Sequence, residues 1–349
     1  MHLHHVRFLK DPNTKQQLEL IIFNKKGENV LNGLLVSGSD WFPVVDGIPR
    51  ILVGNLKSEF LKCHADFLFR FKKQIPKRFL NSLPDSVSLS SSERHQVKTG
   101  SSFSYEWKNI YVENSVEKSN YLHFLKPYLR ENNMKGATIL DAGCGSGRFT
   151  KQAASMQSQL IVGTDIGDTV EVAYQLSGHL KNVLIVQADI YSLPFGRIFN
   201  IVHSIGVLHH LPTPSDGFLS LANVAKTGGK VLIWVYNRRG NARALFLYEP
   251  LRIFTRLLPK SFLYKLCYIP AGIVHSINLI TKKASDPPFG YYRQFPFNMK
   301  LNDAFDVLAT PKSNYYYVEE IVSWFKRAGL KNIKAFEHPE AGITCIGTK

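Results

Sequence analysis

The chain is poor in cysteine, and the four it has are scattered. Cys63, Cys144, Cys267 and Cys345 show no C-x-x-C spacing, so neither a disulfide framework nor a zinc site is indicated. Acidic residues are also scarce: 27 Asp and Glu stand against 43 Lys and Arg, a formal net charge of +16. No uninterrupted run approaches eighteen apolar residues, and the opening Met1-His-Leu-His-His-Val-Arg7 lacks an apolar core. A membrane span and a signal segment are therefore not expected, and a reducing, cytoplasmic setting is. No internal repeat is visible. The histidines His2, His4 and His5 read as a solvated end rather than a metal tract, and no metal is expected. With 349 residues, 44% of them hydrophobic, the chain has room for one full α/β domain and a smaller module.

What is present centres on residues 139–147, Ile-Leu-Asp-Ala-Gly-Cys-Gly-Ser-Gly. An apolar strand end runs into alternate glycines, Gly143, Gly145 and Gly147, and then into a helical segment, Arg148 to Met156. Glycines let the backbone turn sharply and approach a ligand, and the following helix points free N–H groups and its positive dipole end at the same place. A dinucleotide fingerprint, G-x-G-x-x-G/A, fails because Arg148 stands at the last position counted from Gly143. A second apolar run, Leu160 to Thr164, ends in Asp165. A third, Val183 to Ala188, ends in Asp189, followed by Ile190. A fourth, Ile201 to Leu208, carries Ser204 and runs into His209 and His210. A fifth, Lys230 to Tyr236, follows Gly228-Gly229. Any one aspartate is most simply a cap or turn residue. Three at the C-terminal ends of successive strands line the edge where open α/β sheets bind ligands. The strand–helix alternation predicts a mainly parallel sheet with right-handed crossovers.

On the motifs ILDAGCGSGRF, VGTDIGDTVEVAY, VQADIYSLPF, SIGVLHHLPTP and GGKVLIWVY, residues 103–349 resemble class I S-adenosylmethionine (SAM) methyltransferases, nearest in style to the ubiquinone and menaquinone biosynthesis group. The resemblance implies a Rossmann-like, seven-stranded, mainly parallel α/β sheet closed by an antiparallel C-terminal strand. It implies SAM as cofactor and S-adenosylhomocysteine as product. Gly143, Gly145 and Gly147, with Asp141 opening the turn, would line the methionine half of SAM. Asp165 with Ile166 would hold the ribose, Asp189 with Ile190 the adenine, and Ser204 would lie on the cofactor side of the fourth strand. Thr227 replaces a proline usual before the fifth strand, and Asn200 a common aspartate. A helix from Tyr317 to Leu330, with Ile321, Trp324, Phe325 and Ala328 on one face, and strands at 332–336 and 342–347 match the closing hairpin of that sheet.

Residues 1–55 read as a small separate module with strands at 18–23 and 33–36. Its ending, Trp41 to Arg50, resembles a zinc-ribbon family that partners RNA and protein methyltransferases; Asp11 and Thr14 stand where that family has its first cysteines, so the metal would be lost. A helix and linker follow over 56–102, mobile in part around Pro76, Pro84 and the Ser86–Ser92 cluster. Phe103-Ser-Tyr-Glu-Trp107 matches an aromatic patch that, in related enzymes, folds over the methionine end of the cofactor, which places Tyr105 on the substrate side.

Methyl transfer needs alignment more than acid–base help, but an acceptor with a high-pKa proton needs a base. His209 is the candidate base, and His210, Asp306 and Tyr315 are candidates to line the acceptor pocket. Asp286-Pro-Pro-Phe289 spells the signature of adenine amino-methylating enzymes, yet lies past the fifth strand and reads as a proline-fixed loop. The insertion at 237–314 carries twelve Lys and Arg against four Asp and Glu, half of the chain's excess, among aromatic and aliphatic residues. This suits either a lid over a small-molecule or lipid-like acceptor or peripheral contact with an anionic membrane. An RNA methyltransferase, from the basic pI of 9.6, and a non-catalytic SAM-binding partner are the alternatives; RNA-binding signatures are absent.

Overall fold

The computed structural model describes residues 1–81, 88–109, 113, 115–241, 246, 248–280, 289–311, 313–339 and 342–349. Pro84, Arg243, Lys282, Lys283, Lys312 and the Asp286-Pro-Pro segment lie outside the described residues.

Eleven strands form one sheet among these residues. They are β1 (Glu19–Lys26), β2 (Asn29–Ser37), β3 (Asp40–Val45), β4 (Ile48–Ile51), β5 (Thr138–Ala142), β6 (Leu160–Asp165), β7 (Val183–Ala188), β8 (Phe199–Ile205), β9 (Ala225–Tyr236), β10 (Lys331–Glu337) and β11 (Gly342–Thr348). Twelve helices accompany them: α1 (Gly54–Cys63), α2 (Ala65–Phe71), α3 (Lys77–Leu80), α4 (Ser91–Asn109), α5 (Glu117–Leu125), α6 (Arg148–Ser155), α7 (Thr169–Ser177), α8 (Pro214–Val224), α9 (Glu249–Thr255), α10 (Lys260–Ile280), α11 (Phe297–Ala309) and α12 (Val318–Arg327).

The expected seven-stranded sheet is present in the order β7-β6-β5-β8-β9-β11-β10. β5 to β9 run parallel; β11 pairs antiparallel with β9 and β10 with β11. Its central strands are apolar on both faces. Leu140, Val162, Val202 and Ile233 pack under α8 and α12, through Phe218, Leu221, Ile321 and Phe325. Ile139, Ile161, Ile201 and Leu232 pack under α5, α6 and α7, through Tyr121, Phe149 and Ala173. Burial on both faces is why these strands read as unbroken apolar runs. Asn200 accepts from the Thr138 N–H (3.0 Å) and hydroxyl (2.8 Å), tying the starts of β8 and β5.

The first four strands do not stand apart from this sheet. β4 pairs parallel with β7, Arg50 opposite Gln187 and Ile51 opposite Ala188, so the N-terminal meander extends the β7 edge. Arg50 is buried; it donates to Gln187 Oε1 (2.9 Å) and pairs with Glu171 (3.5 Å). A second apolar cluster, including Trp41, Phe60, Phe71 and Phe79, fills the space between the meander and α1–α3.

Two expectations are corrected, and α10 adds an observation of its own. His2 and His5 are buried, not solvated: the His5 ring bonds the Lys181 carbonyl at 3.1 Å and accepts from the His2 N–H at 3.3 Å. Residues 91–102, expected as linker, are the first part of α4. Ser90 and Glu93 cap that helix reciprocally, Glu93 N–H to Ser90 Oγ (3.2 Å) and Ser90 N–H to Glu93 Oε2 (2.7 Å), a capping box that stops the chain from continuing as coil. Finally, α10 is long and apolar enough, by length and composition, to cross a membrane; its helical span runs beyond the uncharged stretch because Lys260 and Lys265 join it.

Candidate functional site

The glycine turn joins β5 to α6 along the C-terminal edge of the sheet. The N–H groups of Gly143 and Cys144 both donate to the Thr164 carbonyl, at 2.7 and 2.9 Å, which fixes the turn against the end of β6. Gly145 has φ +53, and a Cβ there would lie 3.0 Å from Trp107 Nε1. Gly147, at φ +78, caps α6, and a Cβ would strike Ala173 of α7 at 2.7 Å. Both positions need glycine for conformation and for space.

Asp165 ends β6 beside this turn. Its Oδ2 accepts from Gly145 N–H (3.1 Å) and its Oδ1 from Gly167 N–H (2.9 Å). Each oxygen keeps a lone pair for a ribose hydroxyl. Burial raises the carboxyl's pKa, and the two N–H groups oppose that shift. Asp189 ends β7. Its recorded bonds, from Gln96 Nε2 (2.9 Å) and Tyr191 N–H (3.1 Å), both reach Oδ1, which leaves Oδ2 for an adenine amine. Ile190 packs on the core below, and Ile166 lies against Gly100 of α4. Ser146 Oγ is buried in the glycine turn without a partner among the described residues. A glycine cradle, two carboxylates with spare lone pairs and an orphaned hydroxyl fit SAM.

Two expected cofactor residues face elsewhere. Asp141 is buried beneath the turn, where Oδ2 accepts from Thr150 Oγ1 (2.6 Å) and Oδ1 lies 3.4 Å from His203 Nδ1; His203 Nε2 is 3.0 Å from the Tyr121 hydroxyl. The Ser204 hydroxyl donates to the Ala142 carbonyl at 2.9 Å, clipping β8 to β5.

The acceptor side gathers around the end of β8. His209 is fully buried, its ring 3.9 Å from that of Tyr236, which in turn stacks on Tyr315 (5.6 Å). The His209 carbonyl accepts from the Asn314 N–H (2.8 Å) and side-chain amide (3.0 Å), which pins the end of the insertion to the histidine loop. Among the described residues neither ring nitrogen of His209 has a hydrogen-bond partner. Burial, with the nearby His210 and Arg252, holds its pKa well below the ordinary value, so the ring is neutral. His210 packs on Phe103 (5.2 Å), and its Nδ1 lies 3.4 Å from Ser313 Oγ. Tyr105 stacks on Phe305 of α11 (5.6 Å). Asp306 accepts from the Thr310 hydroxyl (2.6 Å) one turn on. Burial and the Asp306 charge push the Asp303 carboxyl up to about 7, and burial with both aspartates pushes Glu106 well up.

Sequence reasoning placed the aromatic end of α4, Phe103–Trp107, near the cofactor but missed the rest of the helix as a functional element. Gln96 reaches Asp189, His95 Nε2 reaches the His210 carbonyl (3.1 Å), and Trp107 reaches Gly145. The Ser-x-x-Glu capping box at 90–93 was the available signal.

Residues 140–233 match the family described as a methyltransferase domain, and with the sheet order and carboxylate placement above they are a class I SAM-dependent methyltransferase domain. SAM is the methyl donor that this family implies. Among curated proteins the chain is similar to a tRNA U34 carboxymethyltransferase from Pseudoalteromonas translucida, 32% identical over 103 residues, 29% of this chain and 32% of the relative. A protein of the same name from Shewanella loihica is 32% identical over 104 residues, 29% and 32% of the two chains. The chain thus spans about a third of the length of the curated relatives it matches. Among solved structures it is similar to a SAM-dependent methyltransferase from Aquifex aeolicus, with 14% identity, 70% of this chain and 97% of that one covered, and a TM-score of 0.42.

Proposed function

We propose that the whole chain is a SAM-dependent methyltransferase whose acceptor is a small or lipid-like molecule enclosed between α4 and the insertion. One observation carries this reading: α4 touches the adenine carboxylate through Gln96, the histidine loop through His95 and the insertion through Tyr105. A single helix therefore closes the cofactor end and the acceptor end together.

SAM, when bound, supplies a methyl group on a positively charged sulfur that leaves in an in-line displacement. The chain's own contribution is to hold the acceptor in line and exclude water. Asp165 and Asp189 orient the nucleoside, and the Tyr236–Tyr315 stack forms a wall beside His209. We assign His209, a neutral imidazole beside the Tyr236–Tyr315 stack, as the base for an acceptor that carries a high-pKa proton.

An RNA acceptor is the second reading, favoured by the printed names of the curated relatives and by the charge of +16. Against it, the basic residues of the insertion stand among exposed apolar side chains, and the sequence carries no RNA-binding signature. Incubating the protein with methyl-labelled SAM and either a lipid extract or bulk tRNA separates the two. The proposal expects label in the organic phase; label confined to tRNA overturns it.

A further inference from the structure

We propose that the outer face of α9 and α10 docks the protein onto an anionic bilayer surface. Among the described residues, twelve of the eighteen exposed large apolar side chains lie between Phe246 and Ile280. Scattered exposed apolar residues are normal; a concentration of this kind marks an interaction surface.

α10 is apolar on two opposite faces. Leu263, Cys267 and Ala271 are buried against Leu301, Phe305 and Leu308 of α11. Phe262, Leu266, Ile269 and Ile273, spaced by four, three and four residues, form the opposite stripe, and Ile269 and Ile273 are 61% and 56% exposed. A helix that has already buried one apolar stripe has no fold-internal reason to carry a second. α9, which also packs on α11, adds exposed Phe254 (68%) and, just past it, Leu257 (76%).

The charges choose the occupant. The described residues from Phe246 to Ile280 carry Arg252, Arg256, Lys260 and Lys265 against one carboxylate, Glu249, and α10 itself has no acidic residue. Lys265 stands next to Leu266 of this stripe and Arg256 just past α9, both exposed. A bilayer with anionic headgroups takes both features at once, apolar side chains into the acyl boundary and cations at the phosphates. A second copy of a chain with net charge +16 would press two basic faces together. An RNA would leave the apolar stripe in water. The inner face of α10 rests on α11, so α10 lies along the surface rather than across it.

The test uses the full chain with phosphatidylcholine vesicles, with and without phosphatidylglycerol, read by co-sedimentation at low and high salt. Binding is expected to the anionic vesicles and to weaken with salt. Ile269→Asp with Ile273→Asp, and separately Arg256→Glu with Lys265→Glu, are each expected to weaken it by about tenfold or more. All four positions are on the surface, and unchanged binding of S-adenosylhomocysteine shows that the fold is kept. Docking and methyl transfer thereby fail separately. Absence of wild-type binding to anionic vesicles, or equal binding by both double variants, overturns the proposal. So does a wild-type dimer that Ile269→Asp with Ile273→Asp dissociates, or tRNA binding lost on the same substitutions while vesicle binding is kept.

Discussion

Gln96 donates its side-chain amide to Asp189 Oδ1 at 2.9 Å, so α4 is bonded directly to the carboxylate that would hold the adenine. The bond is buried at both ends, where leaving an acceptor unpaired costs about 1–3 kcal/mol.

Gln96→Ala is therefore expected to weaken S-adenosylhomocysteine binding several-fold. Gln96→Glu should weaken it more, because two carboxylates then face each other. The Gln96→Glu deficit should shrink as pH is lowered from 7 to 5, because burial already raises the pKa of the Asp189 carboxyl and protonating either carboxyl relieves the repulsion. Calorimetric titration at the two pH values checks this; equal affinities across the three proteins would contradict it.

His209 is expected to matter for turnover and not for the cofactor. His209→Asn should lower kcat by about a hundredfold with S-adenosylhomocysteine affinity unchanged. Turnover equal to wild type at neutral and high pH alike would remove the imidazole from the chemistry.

Arg50 links the N-terminal strands to the site. It donates to Gln187, and Gln187 Nε2 donates to the carbonyl of Ile166 at 2.9 Å, the residue after Asp165. Arg50→Ala leaves Glu171 without that partner and the Gln187 amide unheld. Glu171 is part-exposed and keeps Lys108 at 2.7 Å, so the loss is mainly the buried bond to Gln187, about 1–3 kcal/mol, which should lower the melting temperature by a few degrees. Arg50→Lys should recover little, since one ammonium cannot span both partners. Thermal unfolding of the three proteins measures it.

His5 sets an acid limit. Burial pushes its pKa down to about 3, and its bonds to the Lys181 carbonyl and the His2 N–H need the neutral ring. As pH falls below the ordinary histidine value, the unfolded chain takes up a proton that the folded chain refuses until about 3. Stability must then fall across that interval and be flat above it. His5→Asn should be less stable than wild type at pH 7, with the gap narrowing toward pH 4. A gap that stays constant with pH would contradict the neutral assignment.

Much of this was legible in the sequence. β6 and β7 begin and end where the apolar runs do, and Asp165 and Asp189 stand at or just past their ends. Burial on both faces wrote those strands as continuous apolar text. α4 was hidden because its residues are mostly polar and include Thr99 and Gly100. Gly100 weakens a helix in isolation, yet here it permits close approach to Ile166 and Gly167. The β4–β7 junction was hidden for a different reason. Four buried residues, Ile48–Ile51, announce a strand but not its partner, and the Arg50–Gln187 pair shows only when register is known. His5 was misread because three histidines near an end look solvated until Lys181 is brought beside them.

The central claim is that Asp165, Asp189 and the turn at Gly143–Gly147 form a SAM site under α4. Calorimetric titration of the full chain with S-adenosylhomocysteine tests it most directly. The account predicts one saturating site in the wild type, lost in Asp165→Ala and retained in Ile269→Asp with Ile273→Asp. No binding by the wild type, or undiminished binding by Asp165→Ala, would contradict it.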